Sequence, residues 1–326
     1  METILVSGAA GFIGCKTASL LLKQGFAVVG VDNLNDYYDV RLKHYRLETL
    51  KANRDFTFLQ AYIESVGELE PVFRDHKLTA VINLAARAGV RYSLRNPYVY
   101  MSTNVRGTLN LLELMHKHNV NKMVLASTSS LYAGQEMPFS EDLPANTPIS
   151  PYAASKKAAE MVAYTYHYLY GIDVSILRYF TVYGPAGRPD MSPFRFIKWI
   201  DEGTQLTMYG DGSQIRDFTW IDDIAEGTIK AVRPLGFEII NLGNSQPHAL
   251  SQLISLIESN LNKKARISHQ PFQKADMKET WADITKARKL LDWYPKTSLE
   301  EGVRGAVAWH IEHRSLVRQI EIDLSV

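Results

Sequence analysis

Through its first half the chain alternates short apolar runs with longer stretches whose apolar positions recur every three to four residues. Thr3–Ser7, Ala27–Val31, Phe56–Ala61, Ala80–Leu84, Lys122–Ser127 and Asp173–Arg178 are nearly continuous in apolar, β-prone residues. That is the pattern of strands buried on both faces of a parallel sheet. Phe12–Lys23 has helical spacing and ends at Gly25. Two further helix starts carry a capping residue before proline: Asn96-Pro97, and Ser150-Pro151 ahead of a helix from about Tyr152 to Tyr170. Strand–helix–strand repetition predicts right-handed crossovers and a doubly wound sheet. After about residue 180 the elements shorten and Pro and Gly become more frequent.

Composition mainly excludes. The 326 residues are 46% hydrophobic and 22% charged, with a formal net charge of +1. A large core can therefore form without staples, and neither a basic face for nucleic acid nor an acidic tail is present. Cys15 is the single cysteine, without a partner for a disulfide or a structural metal site, and no metal is expected. The first residues run straight into a strand, with no charged n-region or cleavage site, and no apolar run reaches the roughly 18 residues of a membrane span. A cytoplasmic protein with small-molecule partners is expected.

Ser7-Gly8-Ala9-Ala10-Gly11-Phe12-Ile13-Gly14 follows the first strand and opens the first helix. Gly8 permits a tight turn, Gly11 lets backbone approach a pyrophosphate, and Gly14 lets helix and strand pack closely. The helix N-terminus then offers free N–H groups to phosphates. A glycine triplet alone also fits a packing turn; its place between strand and helix is what makes it a dinucleotide motif. The next strand ends at Asp32, whose carboxylate would accept from ribose hydroxyls and repel a 2′-phosphate, so NAD is expected over NADP. The expected architecture is a Rossmann-type doubly wound parallel sheet over 1–180, also carrying the catalytic residues. A smaller C-terminal α/β substrate lobe over 181–326 sends some segments back to the sheet.

Tyr152 and Lys156, four apart, share a helical face. A nearby ammonium would favour the phenolate, making Tyr152 a base for a sugar hydroxyl. Among 17 tyrosines roughly one such pair arises by chance. Its position adds value, because it follows the strand ending in Ser127-Thr128-Ser129-Ser130, where hydroxyls face a ligand crevice. The plain alternative is a polar turn.

With these pieces assembled, the chain resembles the extended short-chain dehydrogenase/reductase family over essentially its whole length. The Gly8–Gly14 turn, Asn83-Leu84-Ala85-Ala86, Asn104 with Gly107-Thr108, Thr128 with Tyr152 and Lys156, and Arg216-Asp217-Phe218 before Asp222-Asp223 carry the resemblance. Within the family it is most similar to the UDP-glucuronate 4-epimerases, through Asn33-Leu34-Asn35-Asp36-Tyr37-Tyr38-Asp39, Ala88-Gly89-Val90-Arg91-Tyr92-Ser93, and Arg178 to Pro185 continuing through Gly187-Arg188-Pro189-Asp190-Met191.

The resemblance implies an isomerase that epimerises UDP-glucuronate to UDP-galacturonate at C4 through a transient 4-keto sugar, with NAD regenerated. It implies catalytic roles for Thr128, Tyr152 and Lys156. Cofactor contacts are implied at Gly8, Gly11, Phe12, Ile13, Gly14, Asp32, Asn33, Ile63, Leu84, Ala85, Ala86, Asn104, Ser127 and Tyr179, as well as at Tyr152 and Lys156. Substrate contacts are implied at Arg91, Ser129, Ser130, Thr181, Arg188, Thr207, Tyr209, Arg216 and Asp276. It also implies a homodimer whose four-helix interface uses the segments near Pro97–His118 and Tyr152–Tyr170, although from sequence these could equally be covered within one chain.

Differences from relatives narrow the chemistry. The family's 4,6-dehydratases carry an acidic pair after the threonine, and its decarboxylases a glutamate at the second position; here stand Ser129 and Ser130. UDP-galactose 4-epimerases usually have asparagine in place of Thr181. Arg188 and Thr181 suggest an anionic C6 group, since an arginine fork suits a carboxylate. Their plain alternatives are a surface arginine in a Pro/Gly loop and a hydroxyl capping local backbone. For Arg216, expected at the UDP diphosphate, the alternative is an ion pair with Asp217 or Asp222. Three positions depart from the pattern: Ala61-Tyr62-Ile63 lacks an acidic adenine contact that Tyr62 would replace, Lys274-Ala275-Asp276 replaces Pro-Gly-Asp, and Arg87 stands where glutamine is common. Competing readings are a UDP-glucose or UDP-N-acetylglucosamine 4-epimerase, a UDP-glucuronate decarboxylase, and a non-enzymatic NAD-binding regulator, which would not need the trio.

Overall fold

A computed structural model describes residues 1–272 and 277–322. Six strands of the first half, β1 (Thr3–Ser7), β2 (Ala27–Asp32), β3 (Phe56–Gln60), β4 (Leu78–Asn83), β5 (Lys122–Thr128) and β6 (Asp173–Tyr179), match the six apolar runs to within two residues. They form one sheet together with β10 (Phe237–Leu242), which returns from the second half. The order is β10-β6-β5-β4-β1-β2-β3, parallel throughout. The winding reverses between β1 and β4, and a crevice opens there at the strands' carboxyl ends.

The near-continuous apolar runs have a direct cause. Along β1, Ile4 and Val6 join one core cluster and Leu5 the other; in β4, Ile82 and Val81 divide the same way. With both faces covered, the period-two alternation of a half-exposed strand disappears.

Ser150 caps the Pro151–Tyr170 helix as expected, its Oγ accepting from the Ala153 amide at 3.2 Å. Asn96 does not cap. Its backbone sits at φ −135°, ψ 78°, and its amide instead donates to the Tyr92 carbonyl, closing the preceding Val90–Arg95 helix. Pro97 still starts a helix, Pro97–Tyr100, which widens into a π-helical stretch, Met101–Arg106, before Gly107–Lys117.

The second half holds shorter strands: β7 (Thr181–Tyr183), β8 (Gln205–Tyr209), β9 (Ile215–Trp220), β11 (Pro247–Ala249), β12 (Arg266–Gln270) and β13 (Glu279–Thr280). β9 pairs with β7 and β13 in parallel and with β11 antiparallel; β8 pairs with β12. Their apolar cluster includes Phe196, Trp199, Phe218, Leu253 and Val303. Asp201, at the end of the Ser192–Glu202 helix, accepts from Lys263, His310 and Arg314 and so ties three elements together. Among the described residues no helix is long and apolar enough to cross a membrane.

Candidate active site

The glycine turn is built by close approach. Gly8 has φ +74°, and its amide donates to the Val31 carbonyl at 2.7 Å. A Cβ on Gly8 would lie 2.7 Å from the Ala85 amide nitrogen, and one on Gly14 only 2.0 Å from the Gly8 carbonyl oxygen. The Phe12–Lys23 helix has no side-chain cap, so its first amides are left for a ligand. At the end of β2, Asp32 accepts from the Ala10 amide (3.1 Å) and the Leu34 amide (2.8 Å). These amides hold the carboxylate on the wall of a cleft of about 510 Å³. The cradle and its acidic rim fit the adenosine and pyrophosphate of a dinucleotide.

The same cleft runs past the ends of β4, β5 and β6 to β8 and β9. It gathers nearly all the residues expected at the cofactor site, including Phe12, Ile13, Asn33, Ile63, Leu84, Ala85 and Ala86. It also gathers Arg91, Ser129, Ser130, Thr181, Arg188, Thr207, Tyr209 and Arg216. Asp276 lies outside the described residues. Asn104 is buried behind Ala86 and Ala88, which line the cleft. Its side-chain amide donates to the Arg87 carbonyl and to Ser155 Oγ, and its Oδ1 accepts from the Arg87 amide. With every polar group engaged, it braces the β4 loop against the Pro151–Tyr170 helix. Two other side chains border the cleft with their hydroxyls turned away. Ser127 donates to Glu160 at 2.6 Å, and the Tyr179 hydroxyl pairs with Thr228 at 2.8 Å.

Tyr152 shares a hydrogen bond with Thr128, and burial pushes its phenol up while Thr128 and Arg188 pull it down. Lys156 lies one turn along the helix from Tyr152. Its ammonium donates to the Ala126 carbonyl at 3.0 Å, and burial lowers it to about 8, with Glu160 opposing. Glu160, one turn further along the helix, is itself held by Arg178 in a buried pair. Thr128 donates to Ser130 Oγ at 3.1 Å, making a short row of hydroxyls beside the phenol.

Arg188 is not a surface arginine. Its Nε and Nη2 hold both oxygens of Asp190 at 3.0 and 2.5 Å, and its guanidinium lies 6.0 Å from the Tyr37 ring. Arg91 stacks over Tyr209 at 4.3 Å. Arg216 donates to the Ile215 and Lys278 carbonyls. The two acids weighed as its partners are engaged elsewhere. Asp217 is fully buried and accepts from the Asn244, Ser245 and Ala282 amides and from Thr219, while Asp222 pairs with Lys16 at 2.9 Å.

Lys43, Tyr37, Glu64 and Arg195 also line the cleft and were not singled out from sequence. Lys43 and Arg46 are buried on the Val40–Lys51 helix in phase with Leu42, Leu47 and Leu50, and that phase was the available signal. The Arg46 guanidinium donates to the carbonyls of Ala10, Ala186 and Gly187 and to the Tyr38 hydroxyl. Tyr62 is half exposed and outside the cleft lining; Glu64, bonded by Thr103, reaches it instead.

The GDP-mannose 4,6-dehydratase family description matches residues 5–306. A UDP-glucuronate 4-epimerase of Thermodesulfobacterium geofontis is 57% identical over 99% of this chain and 100% of its own length. The crystal structure of the Bacillus cereus UDP-glucuronic acid 4-epimerase with UDP-glucuronic acid and NAD superposes with a TM-score of 0.90 at 37% identity, over 95% of this chain and 99% of that one. The UDP-glucose 4-epimerase of Thermotoga maritima with UDP-glucose gives 0.88 at 32% identity, over 96% and 100%. With glycine cradle, strand-end hydroxyls and Tyr152–Lys156 helix in one cleft, the chain belongs to the GDP-mannose 4,6-dehydratase-like, extended short-chain dehydrogenase/reductase family.

Proposed function

We propose that the protein interconverts UDP-glucuronate and UDP-galacturonate by NAD-dependent epimerisation at C4. The observation that carries this is that Arg188 lines the same cleft as Tyr152, its charge favouring the phenolate. In a glucuronate the C6 carboxylate sits on the carbon next to C4, so its binding group must lie beside the C4 base. Asp190 takes Nε and Nη2 of Arg188 and leaves Nη1 without a protein hydrogen bond among the described residues.

Tyr152 accepts the C4 hydroxyl proton, and Thr128 hydrogen-bonds the same oxygen and fixes its direction. Lys156 holds the nicotinamide ribose, and its ammonium together with a cationic ring draws the phenol down from its buried value. Bound NAD supplies the hydride acceptor and donor at C4. The 4-keto sugar turns over and Tyr152 returns the proton, so no cofactor is consumed. That intermediate is a β-keto acid, which loses carbon dioxide fastest when the C5–carboxylate bond stands perpendicular to the ketone. Arg188, Thr181 and Ser129 hold it away from that geometry. Ser129 and Ser130 offer no carboxylate for the acid–base chemistry of dehydration or decarboxylation.

The reading includes a cofactor portion over 1–180, a sugar portion over 181–326, a cytoplasmic location and a homodimer. Exposed Tyr98, Met101, Leu109, Met161, Tyr168 and Leu169 lie on the segments expected to form its four-helix interface and support the last.

Incubation with UDP-glucuronate, without added reductant, followed by chromatography and NMR of the sugar, tests the proposal. UDP-galacturonate with NAD unconsumed is expected. A UDP-pentose with carbon dioxide, or conversion of UDP-glucose alone, would overturn it.

A further inference from the structure

Lysine is seldom buried without a partner, because the desolvated ammonium needs acceptors. Lys43 is only 4% exposed and lines the cleft beside Asp32. Among the described residues its ammonium makes no hydrogen bond or ion pair; it stands over the Tyr38 ring, 5.1 Å from the centroid. The charged groups that act on it are Asp32 and Asp36, which favour the ammonium, and Arg46 and Arg87, which oppose it.

The chemistry at this end of the cleft is one-sided without it. The Asp32 carboxylate, fixed by the Ala10 and Leu34 amides, can only accept hydrogen bonds. A ribose diol both donates and accepts. The nearby amides are largely engaged: Asn35 Nδ2 donates to Asn33 Oδ1 at 2.6 Å, and Asn35 Oδ1 accepts from Arg87 and from the Tyr37 amide.

Building on the dinucleotide reading above, we infer that Lys43 completes the adenosine-ribose clamp begun by Asp32, donating to a ribose hydroxyl oxygen, and that its charge sets how far the site tolerates a 2′-phosphate. Asp32 alone repels that phosphate, and Lys43 offsets part of the repulsion. Discrimination between the two dinucleotides is therefore a balance between two side chains rather than the work of one acid.

Burial also lowers Lys43 to about 8. An ammonium that must donate loses its contribution as pH rises through that value, so part of the NAD affinity falls between about pH 7 and 9. The Tyr38 phenol beneath it is pushed up by burial. Lys156, also at about 8, adds its own pH dependence at the far end of the cleft. The share that disappears in Lys43→Met belongs to Lys43.

The test is a cofactor titration of the full-length protein, stripped of nucleotide, with NAD and NADP and no sugar. Lys43→Met should weaken NAD about tenfold and NADP about threefold further, as loss of a charge-assisted hydrogen bond and then of a phosphate counter-charge requires. Lys43→Arg should restore most of both. Asp32→Ser should tighten NADP about tenfold, and Asp32→Ser/Lys43→Met should lose that gain. An NAD affinity in Lys43→Met within about twofold of the parent would overturn the inference, as would Lys43→Arg being equally weak, which would mark a packing role. Failure of the parent protein to bind either dinucleotide would sink the reading beneath it instead.

Discussion

Asp190 turns a flexible guanidinium into a fixed one. With Nε and Nη2 held, Arg188 can offer the cleft only one edge, in one direction. Arg188→Lys keeps a cation opposite Asp190 but removes the fork. We expect kcat/KM for UDP-glucuronate to fall by about 10- to 100-fold with cofactor affinity unchanged, since a planar two-point contact is lost and a charge is not. Steady-state kinetics beside a cofactor titration would read both; an unchanged kcat/KM would remove Arg188 from the sugar. At this scale the sequence was most informative where residue type and spacing both carry chemistry, as at Gly8, Asp32, Thr128, Tyr152 and Lys156. It was least informative at Lys43 and Arg46. Charges on an amphipathic helix normally mark the solvent face, and only their phase with Leu42, Leu47 and Leu50 contradicts that here. Asn104 illustrates a related point: spacing locates a residue along the chain but does not say which of its polar groups the protein itself engages.

Single elements are held in register by buried ionic knots, of which Asp201 is the clearest. Its carboxylate joins the Ser192–Glu202 helix to His310 and Arg314 near the carboxyl end and to Lys263 after the Leu250–Leu261 helix. These partners hold it well below the usual carboxylate range. Asp201→Asn should cost about 2–3 kcal/mol at neutral pH, because it leaves cations facing a neutral amide. The sign of the pH effect follows from the lowered value. The parent's advantage is fully present above about pH 4 and fades as the pH drops further, because unfolded chains then bind the proton first. Thermal melts of both proteins from neutral to acidic pH would show the gap closing; a gap that stayed constant would contradict it. Most strands of the first half were readable because they are buried on both faces over five to seven residues, while β3, at the sheet edge, is buried only at Phe56. β7, β11 and β13 span three, three and two residues, too few for any period to show.

For the whole molecule, the doubly wound parallel sheet was anticipated from strand–helix–strand repetition, whereas the strand order and the small strands beyond β6 are set by contacts distant in sequence. Asp217 is the example: one buried carboxylate gathers the amides of Asn244, Ser245 and Ala282 around β9. The outer surface carries the remaining expectation. Met161 and Tyr168 are 62% and 76% exposed on the Pro151–Tyr170 helix, whose opposite face bears Lys156. If that helix meets its copy, Met161→Lys/Tyr168→Lys should sediment as a monomer where the parent sediments as a dimer, with the fold intact by circular dichroism. A parent protein that sediments as a monomer would exclude the interface.

Arg46 has a consequence for what moves during turnover. One buried guanidinium grips Ala10 in the phosphate turn and Ala186 and Gly187 in the loop that presents Arg188. The loop cannot swing away without dragging the turn or stranding several donors of a side chain that is only 2% exposed. Both ends of the chamber are thus bolted to the same post. Reversal of the face presented to the hydride must then come from the ligand pivoting about its pyrophosphate, a hinge made of substrate bonds rather than protein.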